Sequence, residues 1–107
     1  MDMIGGIGTD LQAALDAAAV RHRVISANIA NVSTPGYKAK QATFDKELGR
    51  VVEEEREGVT PREDGNTVVM ELETAEMKKN QLAYDVVLMA LGQRMRVARS
   101  AISGRGQ

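Results

Sequence analysis

Apolar residues recur at alternating spacings of four and three in two stretches, one near each end of the chain. In the first, Leu11, Leu15, Ala18, His22, Ile25, Ile29 and Val32 hold the 3.5-residue period of a coiled-coil stripe. Most neighbours are alanine (Ala13, Ala14, Ala17, Ala19), small enough to let a second helix come close, and Val20 and Val24 widen the apolar face. Thr9-Asp10-Leu11-Gln12 fits a capping box, in which the threonine oxygen and the glutamine side chain each satisfy an unpaired amide. These features predict a helix over 9–31, roughly 35 Å long at about 1.5 Å per residue.

The second stretch carries Met70, Thr74, Met77, Gln81, Tyr84, Leu88, Leu91, Met95, Ala98 and Ile102 at the same spacings. It predicts a helix over 68–103, roughly 50 Å long. Gly92 inside it costs about 1 kcal/mol relative to alanine, so the helix is expected to flex there or to meet a neighbour's backbone. Gly104 is placed to cap its C-terminus, and Arg94, Arg96 and Arg99 complement the negative end of its dipole. The fold class that follows is mainly α, two long terminal helices pairing as a coiled-coil-like hairpin around a short irregular or minor-β middle, all within one domain. Leu82, Val86, Val87, Val20 and Val24 lie off both seams. One pair of helices cannot cover them, and apolar surface left over in this way marks contacts with other chains. The ends are therefore expected to finish ordering on assembly.

Between the helices, over 32–67, the periodicity stops at Pro35-Gly36. Proline lacks an amide donor and biases its predecessor away from the helical region, and Pro-Gly is the favoured central pair of a type II turn. Tyr37 to Phe44 alternates roughly and predicts an extended arm or short strand, with Phe44 packing back onto the helices. Asp45 to Arg56 is read as one or two helical turns through Leu48, Val51 and Val52, a reading that Gly49 weakens. Glu53 to Gly58 is a charge run without the ligand order of an EF-hand, expected as a solvated loop. Thr60-Pro61 and Asp64-Gly65-Asn66 are turn signals.

Composition narrows the chemistry further. Of 107 residues only one is Phe, two are Tyr and none is Trp, so aliphatic side chains must do the packing. A net charge of −1 gives no general attraction to nucleic acid, and no aromatic residue is interleaved with Arg94, Arg96 and Arg99 to stack bases. There is no cysteine for a disulfide or thiolate site. Met1 to Gly8 has neither the basic start nor the apolar run of a signal peptide, and no stretch reaches the roughly 20 apolar residues of a membrane span. Gly5, Gly6 and Gly8 lack the preceding strand and following Lys-Ser or Lys-Thr of a phosphate loop; this segment is expected to be mobile. His22 and Ser26 lie one helical turn apart, but nothing in the sequence orients the imidazole as a catalytic base requires. Neither a catalytic residue, a cofactor, a metal nor a small-molecule substrate is expected.

The stretch Asn28-Ile29-Ala30-Asn31-Val32-Ser33-Thr34-Pro35-Gly36-Tyr37 resembles the N-terminal signature of bacterial flagellar basal-body rod proteins, matching at Asn28, Asn31, Thr34, Pro35, Gly36 and Tyr37. Asp64-Gly65-Asn66, Glu76-Met77, Asn80, Tyr84 and Arg99-Ser100-Ala101-Ile102 resemble the proximal, B-type members. The resemblance implies a structural subunit of the rod, exported without a cleaved signal peptide, whose terminal helices pack into a tube around a central channel. Its implied partners are other rod subunits, further copies of itself and the adaptor at the export gate. A soluble helical adaptor or secretion chaperone, closing into a small coiled-coil oligomer, shares the amphipathic helices and is the competing expectation. For Asn31 local capping is the reading preferred to a contact with a neighbour; for Asn28 the two are left even.

Overall fold

A computed structural model describes residues 10–105. Two helices, α1 (Gln12–Ala30) and α2 (Met70–Arg105), enclose in sequence a two-stranded antiparallel sheet of β1 (Lys40–Asp45) and β2 (Arg50–Glu55). The helices run antiparallel. Glu73 of α2 meets Asn28 of α1, Asn80 meets Ala18, and Arg94 reaches Asp10 just before α1. The molecule is elongated, 70 × 28 × 17 Å, with a radius of gyration of 18.8 Å. A compact domain of this length would have about 13 Å.

The stripe predicted on α1 is the one that packs. Leu11, Ala18 and Ile25 are buried, Leu15, Ile29 and Val32 half-buried, and Val24 joins them in the core; His22 is the exception and is exposed. On α2 the packed face is rotated from the expected seam. Glu73 and Asn80 are buried there and Met77, Val87, Leu91 and Ala98 half-buried, whereas Met70, Tyr84, Leu88, Met95 and Ile102 are exposed. Within one chain, then, α1 faces a partly polar stripe of α2. The physical reason is that two buried polar side chains, Glu73 and Asn80, have partners on α1 and turn the helix to reach them.

The middle of the chain corrects several expectations. Residues 45–56 form a β-turn and strand rather than helical turns, because the Asp45 side chain accepts hydrogen bonds from the amides of Glu47 and Leu48 and the Gly49 amide returns to the Asp45 carbonyl. The register pairs Lys40 with Glu55, Ala42 with Glu53 and Phe44 with Val51. The hairpin lies on α1, where Val51 is buried and Arg23 meets Glu53 at 3.4 Å. Phe44 does not pack away: it stays 56% exposed at the rim of an open groove shared with Ala13, Ala17, Val51 and Val87. Glu53 to Glu55 belong to β2 rather than to a solvated loop. At Gly92 the helix continues, and the nearest approach to a built Cβ position is the Arg96 guanidinium at 3.5 Å, not a backbone. Gly104 lies inside α2 rather than capping it. Met1 to Thr9 lie outside the described residues, and with them half of the proposed capping box; the Gln12 side chain donates forward to Asp16.

Candidate assembly site

The residues singled out around Pro35 meet at one polar joint. Asn28 sits in the last turn of α1, on the same face as Val24 and Ile25, and is fully buried. Its amide donates to the Lys40 carbonyl at 2.8 Å and to Glu73 Oε2 at 3.0 Å; its oxygen accepts from the Lys40 amide at 3.0 Å and the Tyr37 hydroxyl at 3.3 Å. The carboxamide thus serves both backbone groups of Lys40 as a paired strand would. Glu73 is also fully buried, and its other oxygen takes the Arg56 guanidinium at 2.5 Å. A carboxylate stripped of water is tolerable only with such a cation and donors beside it. Asn28 therefore binds inside its own chain, tying α1, β1 and α2 together.

Asn31 takes the local role. Both its backbone amide and its side-chain amide donate to the Ala27 carbonyl, and Thr34 Oγ1 donates to its side-chain oxygen. The Tyr37 amide then closes back on the Thr34 carbonyl at 3.2 Å, with Gly36 at φ +75° as a type II turn requires. This turn docks on a second one. The Gly36 amide donates to the Asp64 carbonyl at 2.8 Å, the Thr67 amide to the Tyr37 carbonyl at 3.0 Å, and Lys38 Nζ to the Gly65 carbonyl. Buried Asn66 spreads its side-chain amide over the carbonyls of Asn31, Val32 and Thr34, while its oxygen accepts from the Val68 amide at 2.7 Å. Arg62 adds bonds to the Val32 and Val68 carbonyls.

The two turns touch through glycines. A Cβ on Gly65, whose φ is +82°, would stand 3.4 Å from the Gly36 Cα, whereas one on Gly36 would meet nothing within 4 Å. Gly36→Ala is expected to cost about 1–2 kcal/mol from backbone strain alone. Gly65→Ala carries the same positive-φ strain and its Cβ would make only an ordinary contact with the Gly36 Cα, so the two variants should lose similar stability, read as the shift in urea midpoint. A much larger loss at Gly65 would show that the two turns sit too close to admit a methyl group.

At the far end of the helix pair, Arg94 grips Asp10 with two bonds of 2.7 and 2.8 Å. Hydrogen bonding from Arg94, opposed by some desolvation and aided by its charge, holds the Asp10 carboxyl below its ordinary value of 3.8. A depressed folded-state pKa contributes stability above the unfolded value, and that contribution is lost as pH falls through the folded one. Asp10→Asn should therefore lower neutral-pH stability slightly, as befits an exposed pair, and the difference from the parent should vanish as pH falls below about 3.8, as read from melts between pH 2 and 7.

Outside the joint, α2 presents apolar side chains that nothing among the described residues covers. Met89 is 71% exposed, Leu82 66% and Ile102 65%, with Val86, Met95 and Val97 close to half. Among the described residues no group of three or more His, Cys, Asp or Glu is placed to hold a metal, and no helix is long and apolar enough to cross a membrane.

Comparison with known proteins gives these features a context. A family model described as flagella basal body rod protein matches residues 11–38, which run from the start of α1 through the Thr34–Tyr37 turn. The chain is 31% identical to flagellar basal body rod protein FlgB of Salmonella typhimurium over 87% of its own length and 90% of that protein's. It is 33% identical to FlgB of Cereibacter sphaeroides over 78% and 84% of the two chains, and 32% identical to FlgB of Escherichia coli over 75% and 80%. The chain belongs to the FlgB family of flagellar basal-body rod proteins. The signature stretch of this FlgB-family chain is brought together in space: Asn28 and Tyr37 share a hydrogen bond, Asn31 and Thr34 another, and Pro35-Gly36 seats on Asp64-Gly65-Asn66. Of the seam residues, Leu11 and Ile25 are buried and Leu15, Ile29 and Leu91 half-buried, whereas Tyr84, Leu88, Met95 and Ile102 are exposed.

Sequence reading missed Arg56, Glu73 and Asn66 as partners of this stretch. A signal was present for Glu73. It falls seven residues before Asn80, a second polar residue at the same helical angle, and a polar pair repeating on a packed face implies partners across it. Arg56 offered none, since it stood within a run of glutamates.

Proposed function

We propose that this chain is a structural subunit of the proximal rod of the flagellar basal body, and that α1 and α2 pack against neighbouring subunits to build a helical drive shaft around the export channel. The observation that carries this reading is the apolar surface of α2. Tyr84, Leu88, Met95 and Ile102 lie on one flank, and Leu82, Val86 and Met89 on a different face. Two unlike sticky faces on one helix join head to tail, which generates an open helix rather than a closed pair. The partners are further rod subunits, copies of this chain and the adaptor at the export gate; the chain reaches them by export without a cleaved signal peptide. The polar joint around Asn28 and Pro35-Gly36 fixes the angle between the two helices, so that the faces meet their neighbours in register. Torque is shared among many helix contacts in parallel.

Deleting the gene and imaging basal bodies tests the reading directly. Cells should lack assembled rods and fail to swim, and complementation with the chain carrying Pro35→Ala and Gly36→Ala should restore neither. Intact rods in the deletion strain would overturn the proposal. So would purified protein that forms only a small closed oligomer.

A further inference from the structure

Charge is divided between the two ends of the molecule. From Glu53 to Glu76 the sequence carries nine carboxylates and two guanidiniums; from Met95 to Arg105 it carries three guanidiniums and no carboxylate. The acidic stretch sits at the joint end, where Glu53 meets Arg23 and Glu73 meets Asn28 in the second half of α1. The basic stretch is the part of α2 beyond the Arg94–Asp10 contact, roughly 16 Å of helix, on which Met95, Val97 and Ile102 are exposed beside Arg96 and Arg99. The helix dipole does not account for these arginines. Its effect fades within the last turn, and α2 continues to Arg105, more than one turn past Arg99. Arg96 donates to the neutral Gln93, and Arg99 forms no ion pair among the described residues.

Along α2 about 40 Å separates Glu73 from Arg99, against a screening length of about 8 Å in physiological salt. The two ends of one chain therefore cannot neutralise each other. Residues 1–9 bring only one carboxylate, Asp2, to set against the arginines. A second copy brings many, together with a seat. A cleft of about 450 Å³ opens between α1, β1 and the first turns of α2, floored by Val24, Ile25 and Leu72. Glu57 and Glu76 line it without an ion pair among the described residues; Arg21 opposes them, and Arg56 is already held by Glu73. On the basic end, Met95, Arg99 and Ile102 share one helical face at spacings of four and three. We propose that this face of one copy docks in the cleft of the next, with Met95 and Ile102 on its apolar floor and Arg99 against Glu57 and Glu76. The contact joins unlike ends, so each copy keeps one free end of each kind and the assembly can extend. This deepens the assembly reading above and rests on it.

Charge reversal with rescue tests the contact, because a residue needed only for folding is not rescued by changes about 40 Å away in its own chain. In cells building flagella, Arg99→Glu should cut the assembled fraction by roughly tenfold or more, since like charges then face each other at every contact. Glu57→Arg with Glu76→Arg should do the same, and all three changes in one chain should restore most of the loss. Cysteine pairs give a second readout, the chain having none of its own. Oxidation of Arg99→Cys combined with Glu57→Cys should yield a ladder of dimers, trimers and longer species, and either single variant none, because the two thiols lie too far apart to pair within one chain. A dimer from Arg99→Cys alone would mean that like ends meet and would overturn the proposal. Normal assembly of Arg99→Glu would refute it. So would lost assembly with neither rescue nor ladder, which would assign Arg99 to a different subunit or to residues 1–9. These outcomes leave the rod reading standing as long as the deletion strain lacks rods; normal rods in that strain would refute the rod reading itself.

Discussion

Replacing Arg56 by Met should destabilise the isolated protein by about 3–5 kcal/mol, the usual consequence of taking the partner from a buried charge. The Glu73 carboxylate has no exposed surface, and the Arg56 side chain only 10%. Without the guanidinium, Glu73 keeps one hydrogen bond from Asn28 and has no other ion pair among the described residues. Since a domain's whole stability is about 5–15 kcal/mol, the loss would consume much of it. The measurement is the urea midpoint at pH 7, compared with the double variant Arg56→Met and Glu73→Leu. The double variant should recover a large part of the loss, because removing both charges removes the desolvation problem. If it is no better than the single one, the pair is stabilising through Arg56 packing and not through charge. Salt gives an independent check: the exposed Asp10–Arg94 pair should weaken as ionic strength rises, and the buried pair should respond little.

How much of this was legible beforehand depends on the kind of interaction. Both helices could be read because a period of 3.5 survives in Leu11, Leu15, Ala18 and Ile25 and again in Met77, Tyr84, Leu88 and Leu91. The turn at Pro35-Gly36 could be read because only a few residue pairs accept its backbone angles. The hairpin could not. Its register depends on Asp45 capping its own turn and on strands lying against α1, and the polar sequence Arg50 to Glu55 gives little alternation to show this. The rotation of α2 escaped for a related reason. A helix with apolar residues on three sides does not declare which side its own chain uses, and here the choice is made by Glu73 and Asn80, whose partners lie 45 and 62 residues away. The exposed stripe that reads as a seam belongs, on the assembly reading, to a neighbour.

The second large effect is expected at Asn66, and it separates the joint from the helices it orients. Asn66→Leu leaves the buried Val68 amide without an acceptor and removes the donor shared by the Asn31, Val32 and Thr34 carbonyls. Each of those carbonyls has another donor, from Thr34, Arg62 and Tyr37 respectively, so the cost is set mainly by Val68 and comes to about 3 kcal/mol. Asn66→Asp should be worse despite its closer shape. It keeps the acceptor for Val68 but turns a charged oxygen onto three carbonyls in a site with no exposed surface. Hydrogen exchange should localise the damage. The amides of Gly36 and Thr67, which bridge the two turns, should lose protection first, while the hydrogen-bonded helical amides from Ala18 to Ile25 of α1 retain theirs. Uniform loss along α1 would mean that turn and helix melt as one unit. If the two turns come apart while the helices persist, the angle between α1 and α2 is set by the joint, and Asn66→Asp should block assembly at temperatures where its helices are still intact.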